Sequence, residues 1–200
     1  MTFARITSSY TLGAGLSQHP VSPAIFGKAG GVFAPGMAKV VFGDPTARKW
    51  PEVIEPVGGC TLLYSERIAD QLRTCKFVGL ELYPVEVRRV ESMHLEKKKP
   101  PIYFWARILG EMSAHIFKDG VEVFPNPNSG LVQFSVDDMA FSLRKIRLDP
   151  RAWDGSDFFR ITNMYTGMRF CSQKVIEAAA KYKWPDIVFA KTNENLELNF

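Results

Sequence analysis

The stretch Leu62–Leu72, "LLYSERIADQL", decides the fold of this chain. Ser65 can cap a helix through its hydroxyl oxygen, and Glu66 places a negative charge where a helix N-terminus favours one. Apolar residues then recur at the spacing of one helix face: Ile68, Ala69, Leu72 and Cys75. The stretch predicts a strand end, an N-cap and an amphipathic helix over about 65–76. It contains no recognisable catalytic group.

A predicted strand follows this helix. In "GLELYPVEV", residues 79–87, apolar side chains alternate with others on either side of Pro84. Proline lacks a backbone N–H, so we expect the strand to be bent or interrupted there.

The same order of elements recurs near the end of the chain. "RFCSQKVIEAAAKYKWPDIVFAK", residues 169–191, predicts a strand end, a cap at Ser172, a helix over about 172–183 and a strand. Ser65 and Ser172 are 107 residues apart, and at that offset four further positions match: Ile68 with Val175, Phe77 with Trp184, Leu80 with Ile187, and Leu82 with Phe189. This indicates a helix–strand pseudo-repeat, although two amphipathic helices that precede strands also resemble each other by chance.

The residues between the two helices favour strands. "IYFWARILGEM" at 102–112 is rich in β-formers, and Asp119-Gly120 is a typical hairpin turn pair. Further candidate strands are "LVQFSV" at 131–136, "AFSLRKIRL" at 140–148 and "DFFRIT" at 157–162. We therefore predict an α+β fold, in which an antiparallel or mixed sheet from about 77–165 carries the two helices on one side or at its ends.

The basic character of the chain lies in its first quarter. The net charge is +4, residues 1–50 hold five basic residues and one acidic residue, and residues 51–200 are balanced. Seven of the 15 glycines also fall in residues 1–50. We interpret residues 1–59 as a Gly-rich, basic, irregular region with few long elements and about two short strands, and residues 60–200 as the α+β domain.

Location and cofactors are indicated mainly by missing signals. The sequence lacks an apolar run long enough to span a membrane and a recognisable secretory signal, so we expect a cytoplasmic protein. The three cysteines form no C-x-x-C pair, the three histidines lack ligand spacing, and neither glycine-rich stretch fits a phosphate-binding loop. We predict no metal and no cofactor.

The strongest polar cluster is "WDGSDFFR", residues 153–160. Asp154 and Asp157 could act as an acid pair in a hydrolase, while Trp153 and Arg160 are residue types that often anchor protein interfaces. The alternative is an Asp-Gly turn followed by an aspartate at a strand edge. Because no third catalytic group accompanies the two acids, we favour recognition over catalysis.

A second candidate surface lies around residues 97–105. Lys97–Lys99 form a cation cluster, and Tyr103 and Trp105 follow closely. Together with the basic N-terminal region they suggest a nucleic-acid-binding module as an alternative function, because such modules combine cations with aromatic side chains. Tyr103 and Trp105 are also candidate protein-binding residues.

Three segments together resemble a family of bacterial immunity proteins encoded beside polymorphic toxins. This family was defined from paralogues of soil bacteria and was formerly a domain of unknown function. The segments are "LLYSERIADQL" with "FVGLELYPVEV", "YFWARI", and "DFFRITN" with "RFCSQKVIEAAAKYKWPDIVFAK". The resemblance covers roughly residues 60–190 and rests mostly on structural motifs. Paired C-x-x-C-G motifs of some relatives are missing, so a zinc site is not carried over.

The resemblance implies a cytoplasmic, non-catalytic protein that binds and neutralises one cognate toxin, the product of an adjacent gene. We expect a partner surface with a few aromatic or arginine anchors, for which Trp153, Asp154, Asp157, Arg160, Tyr103 and Trp105 are the candidates. Nucleic-acid and membrane partners are not expected, and a homodimer stays open.

Overall fold

The computed structural model describes residues 1–8, 38–42, 46–55, 62–118, 120–132, 143–163 and 169–199. Its helices are α1 (Glu66–Thr74) and α2 (Gln173–Tyr182), with a 3-10 turn at Pro150–Ala152. Its strands are β1 (Phe3–Ser8), β2 (Ala38–Phe42), β3 (Val53–Ile54), β4 (Leu63–Ser65), β5 (Leu80–Val90), β6 (Tyr103–Ile108), β7 (Gly110–Met112), β8 (Ala114–Lys118), β9 (Val121–Val123), β10 (Leu143–Leu148), β11 (Phe158–Ile161), β12 (Arg169–Ser172), β13 (Ile187–Lys191) and β14 (Glu197–Asn199).

The α+β prediction is confirmed, and so is the cap of the first helix. The backbone N–H of Ile68 donates to Ser65 Oγ at 3.4 Å, and Ile68, Ala69 and Leu72 are buried. The helix therefore begins where a hydroxyl replaces a missing backbone acceptor, and it is held in place by one apolar face.

The strands form three sheets. The first sheet has the order β2-β5-β6-β4-β3, with β2 parallel to β5 and the other pairs antiparallel. The second has the order β13-β1-β12-β11-β7, with β7 parallel to β11 and the other pairs antiparallel. The third, β14-β10-β8-β9, is antiparallel and includes the expected hairpin, β8–β9, with Gly120 at φ +81°.

The first two sheets contain the same unit. The first unit consists of α1 and four strands in the order β5-β6-β4-β3. The second consists of α2 and four strands in the order β13-β1-β12-β11. Ser65 on β4 lies opposite Tyr103 on β6, just as Ser172 on β12 lies opposite Phe3 on β1. The N-terminal strand β1 thus takes in the second unit the place that β6 takes in the first, although it comes from the other end of the chain.

The correspondence extends across the other strand pairs. Leu82 lies opposite Ala106 in the first unit, and its counterpart Phe189 lies opposite Ile6 in the second. On the other side, β3 and β11 pair with β4 and β12 in the same way, as Val53↔Tyr64 and Phe158↔Cys171 show. Three independent strand contacts follow one correspondence, so the pseudo-repeat extends to whole four-stranded units.

Backbone conformation repeats as well. Lys76 and Lys183, which follow the two helices, have φ of 53° and 50°, and Gly79 and Asp186 have φ of 87° and 60°. Left-handed residues of this kind end helices because they turn the chain away from the helix axis. The helix-to-strand connections are therefore built alike in both units.

A shared core joins the two units. It contains matched pairs from each unit, such as Ile68 with Val175 and Leu72 with Ala179. The Trp184 ring N–H donates to Gln71 Oε1 at 2.6 Å and links the units directly. A buried ion pair, Arg169–Glu55, also joins them, with 6% and 15% of the respective side chains exposed.

The outer faces of the two sheets are covered differently. The outer face of the second sheet packs against the third sheet through Phe3, Phe159 and Phe170. The outer face of the first sheet is covered by a cluster that includes Leu95 and Trp50. The two units therefore share an inner core but carry different additions outside.

Three expectations need correction. Within residues 1–59, β1 is a central strand of the second sheet and β2 and β3 belong to the first, so these strands are part of the α+β domain. The charged stretch at 87–101, which ends in two prolines and therefore favours a loop, is strand as far as Val90, because β5 continues to that residue. Each helix belongs to its own four-stranded unit, whereas we expected both helices to pack on one sheet. Most of the candidate strand at 131–136 lies outside the described residues.

Candidate partner-binding surface

A serine–carboxylate cluster occurs at the start of each helix. In the first unit the Ser65 hydroxyl donates to the carboxylate of Glu52, and Arg67 Nε lies 3.2 Å from Glu52 Oε1. Glu52 also accepts the backbone N–H of Ser65 on its carbonyl oxygen at 2.8 Å. The carboxylate thus joins the strand before β4 to the beginning of α1.

The second unit builds the same cluster with Asp157. The Ser172 hydroxyl donates to Asp157 Oδ1 at 2.8 Å, and Lys174 Nζ lies 3.7 Å from that oxygen. Asp157 is buried, and its second oxygen accepts the backbone N–H of Val78 at 3.2 Å. Since a matching residue in the first unit holds the same position, the geometry accounts for Asp157 as a structural residue.

The two clusters also connect the units to each other. Asp157 receives the Val78 N–H from the first unit, while Asp186 Oδ2 in the second unit accepts the Glu52 N–H at 3.0 Å. The position that matches Val78 is Pro185, which has no N–H to donate. The second unit therefore cannot donate a backbone N–H to Glu52 from that position, and its contact with Glu52 runs the other way, from the Glu52 N–H to the Asp186 carboxylate.

A cavity of about 280 Å³ lies beside Asp157. Its lining residues are Met1, Thr2, Phe3, Trp153, Asp157, Ser172, Gln173 and Lys174. Asp154 is not one of them, because its carboxylate is engaged on the other side of the turn. The two acids of the predicted pair are therefore not brought together in this cavity.

Asp154 covers the free edge of β7. Its Oδ2 accepts the Glu111 N–H at 2.9 Å, its own N–H donates to the Glu111 carbonyl at 3.3 Å, and its Oδ1 accepts the Ser156 N–H at 2.9 Å. Burial raises the pKa of the Asp154 carboxyl, but the hydrogen bonds from Ser156 and Glu111 outweigh it and leave the pKa below its usual value. Asp154 thus replaces a neighbouring strand at Glu111.

Trp153 and Arg160 lie on either side of this turn. The Trp153 ring N–H donates to the Ser156 carbonyl at 2.9 Å, and its ring packs edge-on against Phe3 with centroids 5.1 Å apart. Arg160 is exposed and pairs with Glu111 at 2.8 Å. Trp153 is half-buried and mainly structural, whereas Arg160 presents its charge to solvent.

Tyr103 and Trp105 differ from the sequence-based expectation. Tyr103 is completely buried and its hydroxyl donates to the Pro51 carbonyl at 2.7 Å. Trp105 is 6% exposed and packs beside Tyr83, with ring centroids 5.6 Å apart. Both side chains belong to the core on the outer face of the first sheet, so they are not accessible to a partner in this structure. Asp157 is also buried, at the cavity that it lines with Trp153.

The structure adds two exposed apolar residues that the sequence pattern missed. Val78 is 60% exposed and Leu109 is 43% exposed. Their neighbours Gly79 and Gly110 approach Phe158 so closely that an added Cβ would lie 2.3 and 2.2 Å from its carbonyl oxygen. This approach brings the two apolar residues next to the Asp154 turn.

These residues define one surface, which we call the β7 surface. It consists of Val78, Leu109, Glu111, Asp154 and Arg160. In the sequence, Val78 and Leu109 are marked only by the glycine that follows each of them. An apolar residue before a glycine does not predict that its side chain is exposed.

The nucleic-acid alternative named Lys97–Lys99 and the basic residues of the N-terminal region. Lys97–Lys99 lie in an exposed turn, whereas Arg5 lies within the central strand β1. Lys28 lies outside the described residues. Among the described residues, no group of three His, Cys, Asp or Glu side chains is placed as metal ligands would be.

Comparison with known proteins gives no match, either to a model of a protein family or to a curated protein. Within the part of the chain that the structure describes, no helix has the length and apolar character needed to cross a membrane.

Proposed function

We propose that this protein is a non-catalytic immunity protein that binds and neutralises a cognate bacterial toxin in the cytoplasm, and that the β7 surface contacts the toxin. The observation that carries the proposal is the composition of this surface. It carries two exposed apolar side chains, Val78 and Leu109, and the exposed ion pair Arg160–Glu111. Protein interfaces commonly combine an apolar centre with a polar rim in this way.

The support beneath the surface is rigid. Close contacts at Gly79 and Gly110 fix two of its segments against Phe158, and the hydrogen bonds of Asp154 fix the third at Glu111. A preorganised surface loses little conformational entropy when it binds a partner.

The segments that carry the family resemblance include the two helix and strand segments of this fold. In both segments, at 62–87 and 169–191, a serine precedes the helix, and the segments occupy matching positions in the two units. Asp157, one of the two acids considered for catalysis, has a structural counterpart in Glu52 of the first unit. These features support a binding scaffold over a hydrolase built on Asp154 and Asp157.

Co-expression with the toxin tests the proposal. The C-terminal domain of the protein encoded by the adjacent gene should arrest growth alone, and the wild-type chain should restore growth. The double substitution Val78→Arg/Leu109→Arg places two charges on the apolar part of the surface and should abolish the rescue. Val121→Arg is the matched control, because Val121 is 68% exposed on β9 of the third sheet.

Growth arrest that persists with the wild-type chain would exclude neutralisation of that toxin. Rescue by the double variant at wild-type level would leave immunity intact but would exclude the β7 surface as the contact.

A further inference from the structure

One edge of the second sheet is open. Strand β13 is the outermost strand of that sheet, and no strand in the described part of the chain pairs with its outer side. Val188 is 45% exposed, and Ala190 and Lys191 are also exposed. Such an edge presents unpaired N–H and C=O groups that can pair with another strand.

The pairing with β1 identifies the outward groups. The N–H of Thr192 donates to the Phe3 carbonyl at 2.9 Å, so this pair faces β1. Orientation alternates along an antiparallel strand, and Ala190 and Val188 therefore also direct their backbone groups towards β1. Ile187, Phe189 and Lys191 direct theirs outwards.

The first unit shows how the matching edge is closed. Leu109 N–H donates to the Gly79 carbonyl at 2.9 Å, which orients Leu80, Leu82 and Pro84 outwards on β5. Pro84 has no N–H, and β2 begins to pair at the next residue, Val85. A further strand is excluded there, because one donor is missing and β2 occupies the continuation of the edge.

In the described part of the chain, the second unit has neither a proline at this edge nor a strand that pairs along it. Lys191 replaces Pro84 and restores the outward N–H, and Val188 replaces the charged Glu81. Charged residues and proline on edge strands oppose unwanted pairing, and Lys191 is the one charged residue on β13. The open edge is thus a specific difference between two otherwise matching units.

We propose that β13 pairs antiparallel with β13 of a second copy of this chain, centred on Phe189. In that register the outward residues of the two copies oppose each other, and Lys191 of each copy lies opposite Ile187 of the other. Like charges therefore do not meet, and exposed Val188 lies opposite the small Ala190. The two second sheets become one continuous sheet across the dimer.

A second copy suits this edge because its pairing register places no like charges opposite each other and sets exposed Val188 against the small Ala190. The contact is a single short strand pair, so we expect a dimer that dissociates on dilution. This inference is independent of toxin binding and of the β7 surface.

Sedimentation velocity from low to high micromolar concentration, combined with amide exchange by NMR, tests the proposal. Dilute protein should show rapid exchange at Phe189 and Lys191, and concentrated protein should be dimeric, with those amides protected. The variant Val188→Glu/Lys191→Pro installs the residues that the first unit carries at these positions. It should keep the wild-type melting temperature and weaken dimerisation at least tenfold, or by about 1.4 kcal/mol.

The variant Val121→Glu is the control, because it adds the same charge to an exposed valine of another edge strand. It should dimerise like the wild type. Three results would overturn the proposal: a monomer at every concentration, amides of β13 that are already protected in the dilute monomer, or a dimer that Val188→Glu/Lys191→Pro leaves equally strong.

Discussion

Ser172 occupies in the second unit the place of Ser65 in the first, and both hydroxyls donate to a carboxylate at the beginning of the preceding strand. Only Ser65 also accepts a backbone N–H of its helix, from Ile68 at 3.4 Å. The shared contact is therefore the one to the carboxylate. It fastens each helix start to its sheet, which explains why both units keep a serine there.

Removal of the buried carboxylate should destabilise the protein. Asp157→Ala leaves the Ser172 hydroxyl and the Val78 N–H without their acceptor, at a cost of about 2–3 kcal/mol. Thermal unfolding should show a loss of about 2–4 °C for each kcal/mol in a chain of this size. Asp157→Asn keeps an acceptor oxygen and should lose less.

Glu52→Ala provides the matched comparison in the first unit. Its side chain is 30% exposed, so water can replace part of the lost contact and the effect should be smaller. An unchanged melting temperature for Asp157→Ala would contradict the structural role of Asp157.

The Asp154 carboxylate should make stability depend on pH. Its pKa is lowered in the folded protein, so it contributes stability above its unfolded value, about 3.9, and that contribution is lost as pH falls through the folded pKa. Asp154→Asn should therefore be less stable than wild type by about 1 kcal/mol at neutral pH. Urea unfolding at several pH values should show this gap closing below about pH 4; a constant gap down to pH 3 would contradict the charge effect.

Gly110 should not tolerate a side chain. An added Cβ would lie 2.2 Å from the Phe158 carbonyl oxygen and 2.3 Å from Ser156 Cβ, so Gly110→Ala should cost about 2–3 kcal/mol in the free energy of unfolding. Gly155→Ala is the control, since nothing lies within 4 Å and only its φ of +85° opposes alanine, at about 1 kcal/mol. Equal losses in the two variants would show that the close approach at Gly110 is not a constraint.

The ion pair Arg169–Glu55 should show strong coupling in a double-mutant cycle. Glu55→Ala leaves Arg169 charged in the core and should cost about 3 kcal/mol. The first unit carries Leu62 at the position of Arg169, so Glu55→Ala/Arg169→Leu should recover much of that loss. Denaturant unfolding of both variants measures the recovery, and a double variant less stable than Glu55→Ala would contradict it.

Local patterns predicted the features that depend on neighbouring residues. Short-range spacing predicted three features: the Ser65 cap, the buried helix face with Ile68 and Leu72, and the hairpin whose strands flank Gly120. Each is confirmed. The offset between Ser65 and Ser172 also indicated the repeat. It did not reveal β1 as part of the second unit, because Phe3 pairs with Ser172 across nearly the whole chain.

Exposure was harder to predict than secondary structure. Asp154 and Asp157 belong to one short motif, but one lies in an exposed turn and the other is buried by α2 and the Val78 loop. Tyr103 resembled an interface residue, but its hydroxyl is satisfied by Pro51 inside the core. Leu109 is exposed although its neighbour Gly110 lies against Phe158. In each of these cases, tertiary contacts determine whether the side chain is exposed or buried.

Calorimetric titration of the purified chain with the C-terminal domain of the adjacent gene's toxin tests the central claim most directly. We predict saturable binding by the wild type and by Val121→Arg, and at least a hundredfold loss, about 2.7 kcal/mol, for Val78→Arg/Leu109→Arg at an unchanged melting temperature. Absence of heat and of complex formation with the wild-type chain would contradict the claim that this protein acts by binding that toxin.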